Sequence, residues 1–143
     1  MNADPINKFA GIIPARYASS RFPGKPLALI GNKPMIQRVY EQAYKALEPV
    51  YVATDDERIF SCVTGFGGKA VMTSPDHFSG TDRCAEAIAI ILAETDIKID
   101  IVVNIQGDEP FIRPEQLYLL MNCFNSEGVE LATLIRKAEA DED

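Results

Sequence analysis

Histidine occurs once in this chain, at His77, and cysteine only three times, at Cys62, Cys84 and Cys123. The thiols are widely spaced, form no CxxC pair and each falls in a stretch of helical period. That pattern argues against a zinc-ligand or disulfide framework and reads them as reduced, core or half-buried side chains. No Ser-His-Asp or Cys-His arrangement is visible, and His77, in a loop beside Pro75, reads as a surface or packing residue rather than a base. No apolar run approaches the ~18 residues of a membrane-spanning helix. Met1-Asn2-Ala3-Asp4-Pro5 also lacks the charged start and apolar stretch of a secretion signal. A soluble, cytoplasmic protein is expected. Basic residues are outnumbered, 14 Lys and Arg against 21 Asp and Glu for a net charge of −7, which argues against nucleic-acid or membrane-surface binding through the bulk surface. Two nucleotide fingerprints are missing as well. Ser19 stands five positions before Gly24 where a Walker A loop needs glycine, Pro26 follows Lys25 where it needs Ser or Thr, and no G-x-G-x-x-G follows the first apolar run.

What is present is an alternation of short apolar runs and longer segments of helical period, in a chain of 143 residues with 47% hydrophobic content, enough for one core. Residues 9–14 read as a strand. A helix opened by Pro34 runs to Ala46 with Met35, Val39, Ala43 and Leu47 on one stripe, and strand 50–53 follows. Asp55 or Asp56 caps a helix to Phe66, ended by Gly67-Gly68, before strand 70–72. Thr81 is expected to cap a helix from Asp82 to Glu94 with Ala85, Ile88 and Leu92 inward. Strand 101–105, a helix from Pro114 to Phe124 and strand 131–135 complete the series. The alternation predicts an α/β fold: a mainly parallel sheet, doubly wound, with right-handed crossovers. No internal repeat or linker interrupts it.

Chemistry concentrates at the strand ends. Pro14-Ala15-Arg16-Tyr17-Ala18-Ser19-Ser20-Arg21-Phe22-Pro23-Gly24-Lys25 follows the first strand and places three cations within ten residues of an acidic chain. Forked and point-like cationic donors, two hydroxyls and a glycine that lets backbone approach suit a polyanion, and a nucleoside triphosphate fits. A solvated basic turn punctuated by Pro23 and Pro26 is the plainer alternative. Asn104-Ile105-Gln106-Gly107-Asp108-Glu109-Pro110 leaves the most apolar strand. Its carboxylate pair suits a hard divalent cation held between protein and phosphate oxygens, or else a simple β-turn. Thr54-Asp55-Asp56-Glu57 reads as helix-start charge. Ser79, Gly80, Thr81 and Arg83 supply donors at a further strand end.

In order and spacing, Ile13 to Leu27, Val52-Ala53-Thr54-Asp55-Asp56, Ser79-Gly80-Thr81-Asp82-Arg83 and Asn104 to Pro110 resemble the motifs of the 3-deoxy-manno-octulosonate (Kdo) cytidylyltransferases, within the sugar nucleotidyltransferases. The motifs span nearly the whole chain, and Tyr17-Ala18 resembles the Kdo branch rather than the sialic acid branch. The resemblance implies a Rossmann-like, three-layer α/β/α fold of the nucleotide-diphospho-sugar transferase type. It implies transfer of CMP from CTP to the anomeric 2-hydroxyl of Kdo, with pyrophosphate released and magnesium required, for lipopolysaccharide biosynthesis. By the same resemblance Arg16 and Lys25 hold the triphosphate and offset charge on pyrophosphate, with Arg21 a weaker candidate for that role. Asp108 binds Mg2+, Gln106 lies against the sugar, and backbone near Ala15 with Ser79, Gly80 and Arg83 shapes the cytidine pocket. Members of that family are longer, and their second half carries another metal-binding aspartate, much of the sugar pocket and the segment that makes a homodimer. Residues 1–143 are therefore expected to be the nucleotide-binding part of a single domain whose C-terminal portion is absent. A catalytically incompetent CTP-binding domain and a transferase for another sugar acid are the alternatives.

Overall fold

Apolar runs with both faces to cover pair side by side, as in buried parallel sheets, and helices take up the intervening chain. The computed structural model describes residues 8–18, 22–77, 79–107 and 110–122, and the backbone of 131–133. In chain order the elements are β1 (Phe9–Ala15), β2 (Leu29–Ile30), β3 (Lys33–Pro34), α1 (Met35–Tyr44), β4 (Val50–Thr54), α2 (Glu57–Gly65), β5 (Lys69–Met72), α3 (Gly80–Glu94), β6 (Ile101–Asn104), α4 (Pro114–Asn122) and β7 (Leu131–Thr133). The main sheet has the order β5-β4-β1-β6-β7 and every pairing in it is parallel. β1 lies at the centre, and the order reverses between β1 and β6. β2 and β3 form a separate antiparallel ribbon, which the sequence pattern did not show because each strand is two residues long.

Alternation along the strands divides the core in two. Ile13, Val50, Val52 and Val103 face α1 through Ile36, Val39 and Ala43, α2 through Ile59 and Val63, and α4 through Leu117. Ile12, Tyr51, Ala53, Val71 and Val102 face α3 through Cys84, Ala87 and Ile91. The three-layer α/β/α arrangement is as expected, and element ends fall within a residue or two of the expected ones among the described residues. Cys62 and Cys84 are free thiols, and burial pushes the Cys84 thiol up to about 12, so it is inert. Cys123 lies outside the described residues.

Three expectations are corrected. The buried stripe of α3 is Cys84, Ala87 and Ile91; of the residues expected inward, Ile88 is partly buried against this core, whereas Ala85 is exposed and Leu92 is 46% exposed. Residues 84–92 are apolar nearly all round, so period alone leaves the rotation open, and buried Arg83 fixes it. The cap of α3 is Ser79, whose side chain accepts a hydrogen bond from the Asp82 N–H, rather than Thr81. Winding is not uniform in hand. α4 packs on the face that carries α1 and α2 although β6 to β7 steps the opposite way across the sheet, so that crossover has the reverse hand. The contact that selects this face is Leu117 in the α1 cluster, with Gln42 Nε2 donating to Ile112 O at 2.6 Å.

Ile12 has no exposed surface and sits between β4 and β6 on the α3 face. Ile12→Ala is expected to cost ~2–5 kcal/mol in urea unfolding. Leu29→Ala, at a side chain 68% exposed, should shift stability by no more than ~0.5 kcal/mol.

Candidate functional site

Two adjoining hollows open at the carboxyl ends of β1 and β6, where the strand order reverses, the general ligand position of open α/β sheets. Both are lined by Pro14, Ala15, Arg16 and Gln106. One lobe, of about 200 Å3, is completed by His77, Ser79, Gly80 and Arg83 at the start of α3. The other, of about 300 Å3, is completed by Phe22, Lys25, Pro26, Met35 and Gly107. The structure thus brings together seven of the residues singled out in the sequence: Ala15, Arg16, Lys25, Ser79, Gly80, Arg83 and Gln106. Arg21 and Asp108 lie outside the described residues.

The cleft exists because backbone closes tightly around Pro14. A Cβ on Gly107 would stand 3.0 Å from Pro14 O, and one on Gly80 would stand 3.0 Å from Pro14 Cγ. A side chain at either position would have to push Pro14 aside by a few tenths of an ångström, so glycine favours this close approach of the end of β6 and the first turn of α3 to β1. Lys25 is placed by a 3-10 turn, Lys25–Leu27, in which Leu27 N–H donates to Gly24 O at 2.9 Å. On the other side, the N-terminus of the 15-residue α3 borders the lobe through Ser79 and Gly80, and the positive end of its dipole favours an anion there.

Arg83 is not a loose donor. It is 3% exposed, its Nη1 donates to Thr73 Oγ1 at 2.6 Å and to Ser74 O at 3.1 Å, and its Nη2 stands 3.7 Å from Asp55 Oδ2. It contributes a fixed positive charge to the floor of the lobe. Asp55, read in the sequence as helix-start charge, has this ion pair instead; Asp56 alone caps α2, accepting from Arg58 N–H at 2.8 Å and Ile59 N–H at 3.2 Å.

Glu86 was not apparent from the sequence. Its Oε1 accepts from Ser74 N–H at 2.9 Å and lies 2.5 Å from His77 Nε2, so it straps the 74–77 segment to α3. His77, expected as a surface or packing residue, lines the lobe through this pairing. The available signal was spacing: Arg83 and Glu86 are one helical turn apart on α3 and grip the same segment.

Among the described residues no group of three or more His, Cys, Asp or Glu side chains is assembled for a metal. A larger cavity, about 730 Å3, opens at the opposite edge of the sheet between Lys8, Leu47, Pro49, Ile97 and Tyr118. Volume favours that cavity, but convergent cations, a helix N-terminus and the switch point favour the smaller cleft, and chemistry rather than size identifies a site for a charged ligand.

The Ser74 amide, and after it His77, hold the Glu86 carboxyl below the ordinary value of 4.5. A carboxyl depressed on folding stabilises the fold above its unfolded pKa, and that contribution disappears as pH falls through the folded value. Between pH 5 and pH 3 the wild-type chain should therefore lose stability more steeply than Glu86→Gln in parallel denaturation curves; equal slopes would contradict the strap.

Comparison with known proteins agrees with this geometry. The family model for cytidylyltransferases matches residues 10–142. A 3-deoxy-manno-octulosonate cytidylyltransferase of Bacteroides thetaiotaomicron is 59% identical over 135 residues, 94% of this chain and 52% of that protein. An 8-amino-3,8-dideoxy-manno-octulosonate cytidylyltransferase of a Shewanella species is 55% identical over 139 residues, 92% of this chain and 56% of that protein. Among solved structures, a CMP:2-keto-3-deoxy-manno-octonic acid synthetase complexed with CTP superposes with a TM-score of 0.74 at 50% identity, covering 81% of this chain and 46% of that one. The chain spans about half the length of the curated relatives it matches. No helix among the described residues is long and apolar enough to cross a membrane. With the family model matching nearly end to end and a cationic cleft at the sheet's switch point, the chain belongs to the cytidylyltransferase family.

Proposed function

We propose that residues 1–143 are the nucleotide-binding part of an enzyme that transfers CMP from CTP to 3-deoxy-manno-octulosonate. The observation that carries this reading is the meeting of Arg16 and Lys25 on one lobe with the α3 N-terminus and Arg83 on the other, across a shared floor of Pro14, Ala15 and Gln106. The CTP held by the 50% identical synthetase supports the nucleotide. In this reading the cytidine occupies the lobe framed by the backbone near Ala15 with Ser79, Gly80 and Arg83. The triphosphate runs toward Arg16 and Lys25, with Arg21 as an additional cation. Gln106 faces the sugar acid.

Phosphoryl-type transfer is limited by in-line positioning and by charge on the departing group, rather than by want of a covalent nucleophile. The anomeric 2-hydroxyl attacks the α-phosphorus of CTP, the new O–P bond forms as the bond to the β-phosphate bridging oxygen breaks, and pyrophosphate leaves while the hydroxyl proton passes to solvent. Arg16 and Lys25 offset the negative charge that grows on pyrophosphate. Asp108 follows Gly107 directly, and Gly107 is packed on Pro14 in the triphosphate lobe. A hard cation that takes one or two protein carboxylates and otherwise phosphate oxygens fits that donor set, and we assign Asp108 to it. Held by Asp108, Mg2+ would supply charge neutralisation and Lewis-acid polarisation at the triphosphate. A cytoplasmic setting and a homodimer of the longer polypeptide belong to the same reading.

The 8-amino sugar acid is the second reading of the acceptor, since the relatives at 59% and 55% identity carry the two names. Comparison of kcat/KM for the two sugars discriminates them. For the reaction itself, pyrophosphate release from CTP, Mg2+ and the sugar acid by the full-length polypeptide should be abolished by Asp108→Asn with the fold intact, and retained turnover would contradict the metal role. Lys25→Ala should weaken CTP binding by ~1.5–3 kcal/mol, the scale of a hydrogen bond to a charged group; unchanged affinity would reject the triphosphate lobe. CTP binding without turnover by the full-length polypeptide would point instead to a non-catalytic binding domain.

A further inference from the structure

The loop between β1 and the Lys25 turn is closed by a contact chain that reaches back to the core through α2. Gly24 N–H donates to Tyr17 O at 2.8 Å, with Gly24 in the left-handed region at φ 73°. A Cβ at Gly24 would stand 2.7 Å from the Tyr17 ring, so the ring lies directly on the Gly24 backbone. The Arg58 guanidinium carbon in turn stands 3.4 Å from the centroid of the same ring. Arg58 is itself held: its Nε donates to Asp56 Oδ1 at 3.2 Å and its Nη2 to Asp56 Oδ2 at 2.7 Å. Asp56 is the α2 cap, and α2 is anchored by Ile59 and Val63, neither of which has any exposed surface.

We propose that Tyr17 and Arg58 are positioning residues that hold the base of the phosphate loop closed, Tyr17 against Gly24, so that the Lys25 turn is presented to the triphosphate already in place. Arg58 is 59% exposed, yet its fork is committed to Asp56 and its flat face to Tyr17. A guanidinium satisfied in this way is built for stacking rather than for gripping a ligand, and lysine cannot reproduce both contacts. Tyr17 links the two ends of the device, because its carbonyl takes the Gly24 N–H and its ring takes Arg58. Without the stack, the closed loop is only one of several states, and apparent affinity falls by the fraction that is closed. The inference rests on the reading of this loop as the triphosphate site and adds to it the residues that preorganise it.

The test has one readout that needs no nucleotide and one that does. In the ligand-free chain, Arg58→Ala is expected to speed amide hydrogen exchange at Gly24 by roughly two- to fivefold, the range for a cation over an exposed aromatic face, while exchange in β1 and β4 stays unchanged. CTP affinity should fall by a similar factor; in the full-length enzyme KM for CTP should rise with kcat preserved, because bound CTP recloses the loop. Tyr17→Phe, which keeps the ring and loses only the interaction of its hydroxyl with Arg58, should be affected less than Arg58→Ala. The pair Tyr17→Ala/Arg58→Ala should be no worse than the more damaging single change, since both break one device. Unchanged Gly24 exchange in Arg58→Ala would overturn the proposal. So would a Lys25→Ala variant that loses CTP affinity beside an Arg58→Ala variant that does not, and that outcome would leave the triphosphate reading standing. If neither variant alters CTP affinity, the triphosphate reading falls and the proposal with it.

Discussion

The approach of two backbone segments to Pro14 is the constraint on which the rest of the site depends. β1 ends there, β6 reaches it through Gly107 and α3 reaches it through Gly80, each so closely that a Cβ would stand 3.0 Å from Pro14. Because β1 is the central strand and the order reverses beside it, the segments that meet at Pro14 come from both halves of the sheet. Arg16 and Lys25 then follow from the β1 side, Ser79 and Arg83 from the α3 side and Gln106 from the β6 side. A cleft of this kind is a property of topology sharpened by glycine, and the cations give it a sign.

Charge is arranged in two modes across that cleft. Arg83 is buried, with its donors held by Thr73, Ser74 and the nearby Asp55, so it acts as a fixed source of potential. Arg16 is exposed at the mouth, and Lys25 stands on a tight turn beside it. In a chain of net charge −7, this concentration gives an anion a local reason to bind that the overall surface opposes. Glu86 adds the complementary restraint, tying Ser74 and His77 to α3 so that the wall of the lobe beside Arg83 moves with the helix.

Much of this was legible in the sequence, for identifiable reasons. β1, β4 and β6 are buried on both faces and so appear as unbroken apolar runs, and each cleft residue follows such a run or opens the next helix. What depends on tertiary contact was not legible. Residues 84–92 are apolar on almost every side, so the orientation of α3 is decided by the buried guanidinium of Arg83, which finds its partners on other segments. Ser79 and Thr81 are both good caps, and the packing of Gly80 on Pro14 decides between them by drawing Gly80 into the helix. The face taken by α4 and the stacking of Arg58 on Tyr17 likewise join residues far apart in the chain.

Nucleotide is expected to enter the small cationic cleft and not the larger, mainly apolar cavity at the opposite edge of the sheet. Titration of CTP into the labelled chain, followed by backbone amide chemical shifts, distinguishes the two places. Shifts are expected at Ala15, Arg16, Gly24, Lys25, Ser79, Gly80, Gln106 and Gly107, with Lys8, Leu47, Ile97 and Tyr118 unmoved. Shifts confined to the second group would place the nucleotide in the other cavity and overturn this reading of the cleft.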